Sequence, residues 1–136
     1  MPSNTLEAAS RAESRRRRLT WTFFWAWSIF IFQGAILPPY RIPRLLVRFN
    51  DKLLHGVEYF ILFFAAFNAF RLARGVWFHC RPLFNALLWC FWMGLVTEWA
   101  QSFVPDRYPS VGDFAADFVG AMLGVLLYIL FRRRSY

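Results

Sequence analysis

Residues 114–131 read FAADFVGAMLGVLLYILF, and Arg132-Arg133-Arg134 follow at once. Apart from Asp117, every residue in this run is apolar or small. A helix rises about 1.5 Å per residue, so a run of this length crosses most of a bilayer's ~30 Å hydrocarbon core. The run is too long for an ordinary strand and does not alternate with period two. Lipid leaves unpaired backbone groups unsatisfied, so a segment of this kind is read as a helix.

Three more segments read the same way. WTFFWAWSIFIFQGAIL covers Trp21 to Leu37 and is stopped by Pro38-Pro39. A second runs from about Leu53 to Leu72, and a third from Leu83 to Val104, between Pro82 and Pro105. The spacing predicts an all-α polytopic membrane protein, a bundle of four transmembrane helices over about 21–37, 53–72, 83–104 and 114–131. Residues 1–19 then form a polar, basic and flexible tail, and 20–136 the membrane domain. The first apolar run exceeds the usual 7–15 residues of a signal-peptide core, and no small-x-small site follows it, so it is read as a retained helix.

Composition agrees. Hydrophobic residues make up 58% of the 136, above the soluble norm of roughly 45–50%. Aromatics at 21% exclude intrinsic disorder, and two cysteines exclude a disulfide scaffold. Cys80 and Cys90 are expected as free thiols. The net charge of +8 suggests nucleic acid until the 16 basic residues are placed along the chain. Eleven of them (Arg11, Arg15–Arg18, Arg71, Arg74, Arg81 and Arg132–Arg134) flank one side of the predicted bundle. Five (Arg41, Arg44, Arg48, Lys52 and Arg107) flank the other. The richer side is expected to be cytoplasmic, with both termini, and its arginines to face anionic lipid rather than nucleic acid.

The acids are distributed the opposite way. Glu7 and Glu13 lie in the tail; Asp51, Glu58, Glu98, Asp106, Asp113 and Asp117 all fall at or near the non-cytoplasmic rim. Glu98 is the deepest by position, roughly 9 Å inside the end of its helix. An ionised group at a helix centre costs about 2.5–3.5 kcal/mol on insertion scales, so such residues are expected to face one another or water. Helical spacing groups them. Asp51, His55 and Tyr59 form an i, i+4, i+8 stripe; Glu98 and Gln101 are i, i+3; Asp113 and Asp117 are i, i+4. Ala116, Gly120 and Gly124 give a small-xxx-small pattern that allows a close helix contact.

Asp51-Lys52-x-x-His55, Glu98-x-x-Gln101, and Arg107 followed by Asp113 and then Asp117 occur in this order, each at its expected helix end. Together they resemble the VanZ-like family of small bacterial membrane proteins, over about residues 20–131. The resemblance implies a bacterial inner-membrane location and a role in cell-envelope biology or tolerance of the glycopeptide teicoplanin. Family members often carry Asn where this chain has Asp117, so an acid there adds a charge.

Each polar residue also has a local explanation. Asp51 suits a helix N-cap, Lys52 suits snorkelling to the head groups, and Ser110 with Asp113 fits the capping-box spacing. Arg107 could pair with Asp106, Asp113 or Glu98, or hold a phosphate as a fork. The functional reading makes His55, Glu98 and Asp113 an acid/base cluster, with Asp51, Lys52, Gln101, Arg107 and Asp117 binding substrate. The expected partners are membrane lipids and an anionic lipid-linked or cell-wall precursor; a homo-oligomer stays open. The competing reading is structural, a charged cluster that fixes helix packing. Phosphate loops, H-E-x-x-H and G-x-S-x-G are absent, and no compact two-His motif is present. His55, Glu98, Asp113 and Asp117 offer donors that suit a metal, but carboxylate–arginine pairing explains the same residues, so neither cofactor nor metal is predicted.

Overall fold

The computed structural model describes residues 2–41, 50–73 and 81–133. Arg44, Arg48, Arg74, Arg134 and Cys80 lie outside the described residues. Four helices carry the fold: α1 (Pro2–Ile36), α2 (Asp51–Arg71), α3 (Pro82–Gln101) and α4 (Val111–Arg133). A single 3-10 turn, Pro39–Arg41, follows α1. Each of the four is long and apolar enough to span a membrane.

One expectation is corrected. The basic segment before Trp21 is not a flexible tail but the first half of α1, which begins at Pro2. The chain explains this. Proline fits the first helical position, and Ala, Glu, Leu and Arg dominate the next residues. Glu7 and Arg11 form an i, i+4 ion pair at 3.0 Å. Thr20 Oγ1 also donates to the Arg16 carbonyl.

Each helix buries one stripe. On α1 the stripe is Phe24, Ser28, Ile31 and Ala35. On α3 it is Ala86, Cys90, Gly94, Thr97 and Gln101, with Glu98 and Ala100 beside it. On α4 it is Asp113, Asp117, Gly120 and Gly124. Helix α2 buries more of itself than any other, from Tyr59 to Phe70, and packs on all three partners, most extensively on α4. The buried Cys90 is a free thiol.

The predicted small-residue pattern on α4 is where that contact is closest. A Cβ added to Gly120 would collide with the Gly56 backbone, and one on Gly124 would meet the Phe63 ring at 2.5 Å. Helices α2 and α4 therefore run side by side in parallel, with their N-terminal turns at the same end. The apolar core fills the other end: Trp21 and Phe24 of α1 meet Phe70 of α2, Phe24 meets Trp89 of α3, and Phe67 meets Tyr128 of α4. Much of the remaining aromatic surface is exposed, including Trp25, Trp92, Trp99 and Phe118, as lipid-facing residues must be.

Candidate functional site

The polar site follows from the parallel register of α2 and α4. The Gly56–Gly120 approach sets their first turns opposite each other. Lys52 Nζ then donates to Asp113 Oδ1 at 2.9 Å. One turn deeper, His55 Nδ1 and Asp117 Oδ1 are 2.9 Å apart. Asp117 is 1% exposed, the most enclosed carboxylate in the described chain. Depth along the helix had singled out Glu98. Enclosure depends instead on which face meets a neighbour, and Asp117 sits in the tightest helix contact.

Helix α3 supplies the third wall. Ser110 caps α4 by accepting the Asp113 N–H at 3.3 Å. A capping box would return the Asp113 carboxylate to the Ser110 N–H, but that carboxylate is turned to Lys52. Glu98 Oε2 takes its place, accepting the Ser110 N–H at 2.6 Å. Deeper still, the hydroxyls of Tyr59 and Thr97 share a hydrogen bond of 3.2 Å. Thr97 Oγ1 lies 2.8 Å from the Met93 carbonyl and 3.0 Å from that of Gly94. Two buried carboxylate oxygens, Glu98 Oε1 and Asp117 Oδ2, have no hydrogen-bond partner among the described residues.

Other expectations change in detail. The N-cap of α2 is Asn50, whose side chain accepts the Lys52 N–H at 3.0 Å; Asp51 is the first helical residue and is exposed. Arg107 does not take a carboxylate. It donates to the Gly34 carbonyl at 3.2 Å, at the last turn of α1, where helix carbonyls lack intrahelical donors. Gln101 is buried at the end of α3, on the same stripe as Thr97. The structure thus brings Asp51, Lys52, His55, Asp113 and Asp117 together, with Glu98 joined through Ser110, and leaves Arg107 toward α1.

Sequence reasoning missed Asn50, Gly56 and Thr97. Asn50 carried a legible signal, because Asn is as good an N-cap as Asp. Thr97 and Gly56 did not, because a lone threonine or glycine in an apolar run has many uses.

Together these features define a multi-pass membrane protein in which three helices enclose a polar cluster at one end of a four-helix bundle. Residues 1–132 match the VanZ/LLP1 family, and the chain belongs to it. It is also 33% identical over 93 residues to an uncharacterized protein of Schizosaccharomyces pombe, covering 68% of this chain and 54% of that one. The chain thus spans about half the length of that curated relative. No solved structure matches.

Proposed function

We propose that the chain lies in a cytoplasmic membrane, the inner membrane of a bacterium, with both termini in the cytoplasm and the polar cluster on the outer face. There it binds, or acts on, the anionic head of a lipid-linked or cell-envelope component. One observation carries this reading: six ionisable side chains from three helices gather at one rim of a bundle whose core beneath them is largely apolar. In a membrane such groups are costly, and a ligand's head group is one thing that repays their retention. His55, Glu98 and Asp113 are the acid/base candidates. Asp51, Lys52, Gln101, Arg107 and Asp117 are the binding candidates.

The test uses the full chain in lipid nanodiscs with or without a polyprenyl pyrophosphate lipid. Saturable binding is expected only with that lipid, weakened by Lys52→Gln and Arg107→Ala at unchanged helix content. Recovery of a changed lipid would identify catalysis, and its loss in Glu98→Gln would place the chemistry. Equal behaviour with both lipid compositions would overturn the reading. At the level of the cell, the proposal predicts a change in teicoplanin susceptibility, measured with and without the chain.

A structural reading is favoured by a different observation. The Lys52–Asp113, His55–Asp117 and Glu98–Ser110 contacts all join separate parts of the fold. Under that reading the same substitutions lower the unfolding temperature and change no ligand response.

A further inference from the structure

We infer that Asp51, His55 and Asp113 form a binding site for one divalent transition-metal ion of the zinc or manganese class. Their ligand-capable atoms lie within 4.8 Å of one another, drawn from the first turns of α2 and α4. Metal–ligand bonds of about 2.0–2.2 Å put two ligands of one ion up to ~4.4 Å apart, so small side-chain turns close the site. One imidazole with two carboxylates suits a borderline cation better than calcium or magnesium, which take oxygen alone.

Two further observations point the same way. Asp117 is almost fully enclosed, and its Oδ1 holds His55 Nδ1 at 2.9 Å. A carboxylate on one ring nitrogen fixes the tautomer and leaves the other nitrogen's lone pair for a metal, as it does for ligating histidines generally. Glu98 is 9% exposed, and its Oε1 has no hydrogen-bond partner while its Oε2 is held at the α4 N-terminus that carries Asp113. A buried acceptor oxygen without a partner, on a carboxylate hydrogen-bonded at the start of the helix that carries Asp113, is a further candidate donor for a cation.

Lys52 acts as the internal competitor. Its ammonium holds Asp113 Oδ1, but its side chain is 59% exposed and free to swing outward. A divalent ion would displace it, exchanging one cation for another beside the same acids. The donors come from the first turns of two helices that are distant in sequence, so no compact motif announces them.

The inference shares its site with the function proposed above but uses the metal alone as probe, so failure of lipid binding and failure of metal binding are separate results. The purified full chain in detergent, freed of metal with a chelator, is titrated calorimetrically with zinc chloride and with manganese chloride. One ion per chain is expected for at least one of them. Asp51→Asn, at an exposed helix start, weakens it at least about tenfold, and Asp117→Asn weakens it about 10–100-fold through the ring it holds. Lys52→Gln tightens it, and Glu7→Gln, on the remote half of α1, leaves it unchanged. No stoichiometric binding of either ion, or equal binding by wild type, Asp51→Asn and Lys52→Gln, would overturn the inference.

Discussion

The Glu98 carboxylate of α3 accepts the backbone N–H of Ser110 at 2.6 Å, so one helix caps the start of the next. Ser110 in turn caps α4 with its hydroxyl. A buried acid that would be costly alone is thereby tied to an N–H that a helix start leaves unpaired. The Asp113 carboxylate, relieved of its capping task, becomes available to Lys52.

Glu98→Ala should remove this link and leave the Ser110 N–H unmatched. A hydrogen bond to a charged group is worth about 1.5–3 kcal/mol, so a loss of that order is expected. Glu98→Gln keeps an acceptor and should lose less. Reversible unfolding in mixed micelles measures both; equal losses would mean that the contact does not stabilise the fold.

Gly120→Ala tests the helix contact that sets the register. The added methyl would meet the Gly56 backbone, which has no flexible end to move aside. Overpacking typically costs about 1–3 kcal/mol, and here it would also part the Lys52–Asp113 and His55–Asp117 pairs. Gly34→Ala is the control. Nothing lies within 4 Å of its added Cβ, and alanine is the better helix former, so neutral or raised stability is expected. The order of the two melting temperatures decides the matter.

The helices were legible because membrane spans announce themselves through length and apolar character, two properties of a segment alone. The inward face of α4 was legible too, since Asp117, Gly120 and Gly124 share a stripe. Partners across helices were not. Arg107 had three acids within plausible reach, yet it serves the Gly34 carbonyl, and only the loop path decides that. The helical half of α1 before Trp21 was misread because its charge suggested solvation, while its helix-forming composition went unweighed.

The His55–Asp117 pair should behave as a unit. Both groups are largely enclosed and 2.9 Å apart. A double-mutant cycle with His55→Ala and Asp117→Ala should give a coupling of roughly 1–3 kcal/mol in unfolding free energy. Asp117→Asn retains a hydrogen-bonding group for the ring and should recover part of it. Strict additivity of the single substitutions would show that the contact contributes nothing to the fold.

Topology is the remaining step between the bundle and an outer-face site. Eleven basic residues against five favour a cytoplasmic position for both termini, since positive flanks are retained on that side. Tyr108, in the α3–α4 loop, is 84% exposed, and Leu6, near the start of α1, is 71% exposed. Either can carry a reporter thiol without disturbing the core, once Cys80→Ser and Cys90→Ala remove the native ones. In intact cells a membrane-impermeant maleimide should label Tyr108→Cys at once, and Leu6→Cys only after permeabilisation. The loop is tied to the cluster through Ser110 and Glu98, so its side is the side of the cluster. The reverse labelling pattern would put Lys52, His55 and Asp113 before cytoplasmic ligands and remove the basis for an envelope substrate.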